Sequence, residues 1–227
     1  MIFTTFDIET CTGGPKWWDL CVGPGSGFPD LEWVKTHASD YSLCPYDGMI
    51  TCWSAITWSA SPDSLEVVAE DTAVVAAAED PRAEVSEFDL LVRLGAYLDG
   101  DHGPIVAHNG NGFDFGFVRA RAIHHNLPSL AESFWQPKPW SGKLIDTGEP
   151  AWAPPAITKG NRRGMPTLDR LAALIGIQRP PQVAGKDAPG MWLTGGWDAV
   201  AFHCHDDVVC LGRVFARLLE ARGWRLE

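Results

Sequence analysis

The sequence lacks the marks of several protein classes. Its 227 residues contain no run of 18 apolar residues, so no segment reads as a membrane span. The first residues, Met1-Ile2-Phe3-Thr4-Thr5-Phe6-Asp7, carry no basic region and no apolar core, so no secretory leader is expected. Six cysteines stand at 11, 21, 44, 52, 204 and 210, and none forms a C-x-x-C pair. That spacing fits no zinc knuckle and favours reduced thiols in an intracellular, cytoplasmic protein. There is no internal repeat and no low-complexity tail. Positive charge is scarce: 18 Lys and Arg against 29 Asp and Glu leave −11. A surface made wholly into a phosphate-binding field is thereby excluded.

What is present is globular material. Hydrophobic residues are 45% and charged residues 21%, which excludes wholesale disorder. At this length a chain buries roughly 70% of the surface that its unfolded form exposes, so it needs no staples. We expect one elaborated domain over 1–227. The charge is uneven. From Lys138 to Lys186 there are eight Lys and Arg and three acids, a net of +5, which leaves −16 for the rest. A basic lobe therefore sits on an acidic body, and a nucleic-acid enzyme stays open.

The elements follow from periodicity and turn residues. Residues 2–7 read as a first strand. Residues 11–48, rich in Gly and Pro with Trp17, Trp18 and Trp33, read as a loop-rich insertion or lid. Residues 49–59 and 65–70 make an antiparallel pair around Ser61-Pro62-Asp63-Ser64. Residues 84–98 have helical spacing. Residues 104–108 are a short buried strand, Asn109-Gly-Asn-Gly112 turns the chain, and 113–125 are a helix. Residues 136–166 are loop-like, with a short strand near Lys143–Asp146. Thr167 caps a helix that Gly176 stops. Residues 177–195 read as a loop and 197–221 as a long amphipathic helix. The order predicts an α/β domain with a mixed sheet and helices on both faces.

Three segments carry suggestive acids. In Phe6-Asp7-Ile8-Glu9-Thr10, strand alternation puts Asp7 and Glu9 on one face. Two such carboxylates suit a divalent cation with oxygen ligands. Alone they could equally be solvated acids at a strand end. In Asn109-Gly-Asn-Gly-Phe113-Asp114 an acid opens a helix, and alone it could merely complement the helix dipole. In Phe202-His203-Cys204-His205-Asp206-Asp207 an apolar stripe runs through Trp197, Ala201, Cys204, Val208, Leu211, Phe215 and Leu218. Asp207 and His203 lie on one border of that stripe, a turn apart. Asp206 is expected to point into solvent, with His205 outside the pair. Alone, His203 and Asp207 could be only a helix-stabilising pair. Asp146 reads as a solvated loop acid. Taken together, Asp7, Glu9, Asp114 and Asp207 would share one cleft with His203. Four carboxylates cannot stay ionised there without cations. Two Mg²⁺ or Mn²⁺ ions about 3.5–4 Å apart would neutralise them and serve in-line attack on a phosphodiester.

These motifs resemble the DEDD (DnaQ-like) 3′–5′ exonucleases of the RNase H-like fold. Within that superfamily they are most similar to the branch related to the proofreading domain of family-B DNA polymerases. The motifs are Phe-Asp-Ile-Glu-Thr, Asn-x-x-x-Phe-Asp, Thr167-Leu-Asp-Arg-Leu-Ala-Ala-Leu-Ile-Gly-Ile, and His-Cys-x-x-Asp-Val. The resemblance spans residues 2–10 and 49–221. It implies a mixed five-stranded sheet flanked by helices on both faces. It implies a metal-dependent 3′–5′ exonuclease acting on single-stranded nucleic acid, DNA slightly ahead of RNA, by a two-metal mechanism. Asp7, Glu9 and Asp207 would hold one ion, with Asp7 and Asp114 reaching the second. Thr10, Asn109 and Phe113 match positions near the substrate strand.

One departure stands out. The family has Tyr four residues before the last Asp or His five before it. This chain has His203 at the four-residue spacing and Phe202 at the other. An imidazole that titrates near 6.5 suits a general base, so His203 is read as orienting or deprotonating the attacking water. Lys143, Arg162 and Arg163, within the basic lobe, are candidate phosphate contacts, with Trp135, Trp140 or Trp152 stacking on bases. Any proofreading partner would be a polymerase acting in trans, and no membrane is implied. Two alternatives remain open. One is a non-catalytic nucleic-acid-binding module, and the other is a different RNase H-like two-metal nuclease.

Overall fold

The structure, a computed structural model, describes residues 1–12, 42–46, 48–75, 86–135, 142–153, 156–157, 163–179 and 184–224. β1 (Ile2–Thr12) alternates, so Phe6 and Ile8 enter one core and Phe3 another on the opposite face. β2 (Gly48–Ala60) runs antiparallel to β1, and β3 (Leu65–Val74) returns along β2. Then come α1 (Glu87–Leu98), β4 (Ile105–Ala107), α2 (Asp114–His124), α3 (Pro128–Ser133) and β5 (Leu144–Asp146). β6 (Ala156–Ile157) and β7 (Arg163–Gly164) form a small separate pair. α4 (Leu168–Leu174), a 3₁₀ turn at Gly185–Asp187, α5 (Ala188–Leu193) and α6 (Trp197–Ala221) follow.

The main sheet has five strands in the order β3-β2-β1-β4-β5, with β4 parallel to β1 and β5 parallel to β4. The expected mixed α/β sheet is therefore present. Residues of α1, α2 and α3 pack with Phe6 and Ile8, while Val208, Leu211, Phe215 and Leu219 of α6 pack with Phe3 on the other face. The apolar stripe on α6 explains the second contact: Cys204, Val208 and Phe215 are fully buried. A glycine sets how closely α6 approaches the sheet. A Cβ at Gly212 would stand 2.5 Å from the Trp58 ring, and Trp58 Nε1 donates to Thr5 Oγ1 at 2.7 Å.

One feature of the topology opens the site. β1 pairs with β4 only at Thr4–Ile105 and Thr5–Val106. Beyond them β1 runs on with β2 on one side only. This gap lies past the carboxyl end of β4, where open α/β sheets place their ligands. Opposite it, the β1–β2 register shifts between Glu9 and Thr10. The extra residue in β2 is Thr51, whose hydroxyl donates to the Glu9 carbonyl at 3.2 Å. Such bulges re-aim side chains and are common beside active sites.

Several boundaries differ from expectation. β1 continues to Thr12, so Cys11 and Thr12 belong to the strand rather than to a loop. The remainder of the expected insertion, including Trp17, Trp18 and Trp33, lies mostly outside the described residues. α3 is too short, at six residues, to show a helical period. α5 breaks the loop expected over 177–195. Pro189 stands in its first turn, where a missing N–H costs nothing. Cys11, Cys44, Cys52, Cys204 and Cys210 are free thiols. Among the described residues, no helix is long and apolar enough to cross a membrane.

Candidate active site

Asp7 and Glu9 project from β1 toward α6. The thiol of Cys204 on α6 donates to the Asp7 carbonyl at 3.5 Å. His203, one residue earlier, is buried with Nε2 3.4 Å from Glu9 Oε1 and Nδ1 4.0 Å from Asp207 Oδ1. The imidazole therefore bridges the strand acid and the helix acid. Asp114 enters from the other side. Past the end of β4 the Ile8 amide has no strand partner, and Asp114 Oδ1 accepts its hydrogen bond at 3.3 Å. The three sequence segments do converge.

The electrostatics of this convergence are unfavourable for the acids as they stand. Burial, then Asp114, Asp207 and Glu9, push the Asp7 carboxyl well above the ordinary range. Burial, Asp207 and Asp114 do the same to Glu9. Burial raises Asp114 to about 7, although the Ile8 amide partly opposes this, and Asp146 and Asp207 add to it. Desolvation and like charges act together here.

The turn that delivers Asp114 has its own support. Asn109 adopts φ +67°, a left-handed conformation that Asn tolerates better than most residues. Its carbonyl accepts from Gly112 N at 3.0 Å and Phe113 N at 2.9 Å. A Cβ on Gly112 would crowd the far end of the Asn109 side chain, which would have to turn aside. Asp146 clamps the turn from β5. It accepts from Asn109 N at 2.9 Å, Asn111 N at 3.0 Å and Gly148 N at 2.8 Å. Asp146 is thus buried and triply bonded, not a solvated loop acid. Only its place at a strand end hinted at this.

α6 also differs from expectation. Asp206 does not point freely into solvent. Arg179, just beyond α4, donates to Asp206 Oδ2 from Nε at 3.1 Å and from Nη2 at 2.8 Å. The same guanidinium reaches Asp207 Oδ1 through Nη2 and Asp169 Oδ1 through Nη1, the latter at 2.7 Å. His205 turns to β3, with Nδ1 3.4 Å from Thr72 Oγ1. Helical geometry gave the angle of Asp206 but could not show which distant residue would claim it. No local spacing in the sequence links Arg179 to α6.

The substrate candidates are placed as follows. Thr10 is buried, and its hydroxyl donates to the Ser42 carbonyl at 2.7 Å. Phe113 is half-buried, packs on the core and meets Phe117 at 5.3 Å. Lys143 Nζ donates to the Glu132 carbonyl at 3.1 Å. Arg163 lies in β7, and Arg162 lies outside the described residues, as does Trp140. Trp135 is exposed beneath Arg119, whose guanidinium is 4.8 Å from the ring. Trp152 instead packs inward against Phe215 at 5.1 Å.

The residues suit a hard divalent cation. The donor set of Asp7, Glu9, Asp114 and Asp207 is all oxygen, as Mg²⁺ and Mn²⁺ prefer. Burial and mutual repulsion raise Asp7, Glu9 and Asp114, and a cation would relieve that repulsion. Among the described residues, no three His, Cys, Asp or Glu side chains stand close enough to enclose an ion as placed. Asp207 is turned onto Arg179, and Asp114 onto the Ile8 amide.

No family profile matches the sequence. No characterised protein matches it at the level of sequence. Solved structures do match. A family B DNA polymerase from the archaeon Pyrobaculum calidifontis superposes with a TM-score of 0.56 at 18% identity, over 97% of this chain and 24% of the polymerase. A product-bound exonuclease I gives 0.55 at 15% identity, over 99% of this chain and 44% of that one. A zinc-bound complex of Escherichia coli exonuclease I with single-stranded DNA gives 0.52 at 14% identity, over 99% and 41%. This chain spans about a quarter of the polymerase and about two fifths of exonuclease I. The chain therefore has the RNase H-like fold that these exonucleases and this polymerase share.

Proposed function

We propose that this protein is a divalent-metal-dependent 3′–5′ exonuclease that acts on single-stranded nucleic acid, with DNA preferred over RNA. The observation that carries the proposal is the convergence of Asp7, Glu9, Asp114 and Asp207 on one gap in the sheet. A binding surface for phosphates gains nothing from four crowded carboxylates. A metal-dependent hydrolase needs them. The fold adds support, since its structural neighbours include an exonuclease bound to single-stranded DNA.

In this reading Asp7, Glu9 and Asp207 hold one Mg²⁺ or Mn²⁺, and Asp7 and Asp114 reach a second. When bound, the ions supply Lewis-acid stabilisation of charge that builds on the scissile phosphate. The chain's own residues do the rest. His203, between Glu9 and Asp207, orients the attacking water and accepts its proton on an imidazole flanked by two carboxylates. Asn109 and Phe113 shape the turn that fixes Asp114. Thr10 holds the strand end to residue 42. Lys143, Arg162 and Arg163 take phosphates of the incoming strand, and a polymerase in trans is a candidate partner.

The test uses 5′-labelled single-stranded DNA and RNA of one sequence, with Mg²⁺, with Mn²⁺ and with EDTA. A metal-dependent ladder shortening from the 3′ end, lost in D7A and slowed in H203A, supports the proposal. Strand binding with no ladder in either metal contradicts it and leaves a binding module.

A further inference from the structure

The acidic site has a neighbour that the exonuclease reading does not use. Arg179 comes from the segment after α4 and lies over α6 with its side chain only 10% exposed. Its guanidinium is shared among three carboxylates. Nη1 holds Asp169, Nε and Nη2 hold Asp206, and Nη2 also reaches Asp207 Oδ1. Asp169 belongs to α4, so the arginine ties α4 to the middle of α6. Oδ2 of Asp207 accepts no hydrogen bond from the described residues. Among the described residues, one oxygen of the carboxylate is thus pinned and the other is not.

The geometry points to Arg179 as the positioning residue for Asp207. Asp169 and Asp206 anchor the guanidinium, and the guanidinium fixes the Asp207 carboxylate at the rim of the acidic gap with one oxygen left for a cation. The inference rests on the metal-dependent reading proposed above.

The physical need is clear. The Asp207 side chain is 24% exposed and faces the charges of Asp7 and Glu9. Left alone, it would gain by rotating away from them into water. A rigid fork of donors holds it against that repulsion. Groups that orient a ligand in this way typically set metal affinity within about 10–100-fold. A guanidinium also opposes a nearby cation by its charge, and that term acts in the other direction. Asp169 and Asp206 offset it in part. Charge-conserving variants keep the net charge in the comparison the same. Arg179→Lys keeps the charge but cannot span three acceptors. Asp206→Glu keeps the anchor's charge but shifts its oxygens by a methylene.

The experiment is calorimetric titration of Mn²⁺ into the wild-type protein, R179K, D206E and D7A, with metal-free melting temperatures recorded. R179K is expected to bind Mn²⁺ about 10–100-fold more weakly, with a metal-free melting temperature close to wild type. D206E is expected to move in the same direction by less, and it reads the same coupling should R179K fold poorly. In turnover assays the metal requirement of both variants should rise, while kcat at saturating Mn²⁺ largely recovers. Wild-type or tighter Mn²⁺ binding by both variants, with D7A binding none, overturns the role of Arg179 and leaves the metal site standing. Tighter binding would make Arg179 a competitor of the cation instead. No Mn²⁺ binding by the wild type, or D7A binding as well as wild type, overturns the metal reading and this inference with it.

Discussion

Two groups of buried acids stand in this protein, and they are opposite in kind. Glu87 opens α1 and is 3% exposed. Its oxygens accept from Ile50 N at 2.6 Å, from Arg121 Nη2 at 2.6 Å, and from His125 Nε2 at 2.8 Å. Burial pushes its carboxyl up, but His125 and Arg121 more than offset this and hold it below the ordinary range. Glu9 and Asp114 are buried too and Asp7 is half-buried, yet they face one another and Asp207, and they are raised. Burial is common to both groups. What differs is whether the chain supplies its own counter-charges. Glu87 has them and joins α1, α2 and β2, as a structural acid should. In the gap beside β1 Arg179 reaches only Asp207; among the described residues no Lys or Arg pairs with Asp7, Glu9 or Asp114, and that deficit is what a divalent cation would fill.

The sharpest way to break this contrast is to remove one acid from each group. D7A should reduce nuclease activity by roughly three orders of magnitude or more, the scale for a group that acts as part of a catalytic unit. Its metal-free melting temperature should not fall, since a repelled carboxylate is lost. E87A should do the reverse. Leaving Arg121 without its partner should cost about 3–5 kcal/mol in denaturant unfolding, with the turnover of the folded fraction kept. A D7A protein that melts early, or an E87A protein that is stable but inactive, would erase the distinction.

Metal addition should separate the groups next. Mn²⁺ at a hundred times its Kd should stabilise the wild-type protein by about 2.7 kcal/mol. EDTA should reverse this, and D7A should show no gain. E87Q, though less stable, should show the full gain.

The pH dependence of metal-free stability has opposite signs for the two groups. Asp114 titrates at about 7 in the fold and near 3.9 when unfolded. The native state then holds the extra proton, so stability falls as pH rises through this window. Asp7 and Glu9 act in the same sense. Glu87 is lowered, so its contribution is present above its unfolded pKa, near 4.3, and is lost as pH falls through the folded value. Metal-free D114N should therefore melt a few degrees above wild type at about pH 8, with the gain vanishing near pH 4. E87Q should lose most at about pH 8 and least in acid. Thermal scans across pH would show both. The smallest effect is expected at the edge of the basic lobe, where K143A should raise KM for a single strand by about threefold or less, with a shallower salt dependence.

Much of the fold was legible because it is local. Alternation in β1 put Asp7 and Glu9 on one face, the apolar stripe of α6 fixed its extent, and the Gly-rich turn marked the start of α2. Those same local rules placed His203 a turn above Asp207. What escaped is contact between residues far apart in the chain. The carboxylate of Asp146 was invisible as a clamp until the Asn109 turn lay across the end of β5. Arg179 reads from the sequence as a loop residue, and the path of the chain beyond α4 brings it to Asp206 and Asp207. Asp206 illustrates the difference: its angle on α6 was readable, but its partner was 27 residues away. α3 and α5, at six residues each, were too short for any period to emerge.

The acids beside β1 are proposed as a cation site. Crystals of the metal-free protein soaked in Mn²⁺, with anomalous diffraction recorded, test it most directly. An anomalous peak is expected, bounded by carboxylate oxygens of Asp7, Glu9 and Asp207 and absent in D7A crystals. No peak there at a Mn²⁺ concentration that saturates known sites, or a peak that persists in D7A, would contradict it.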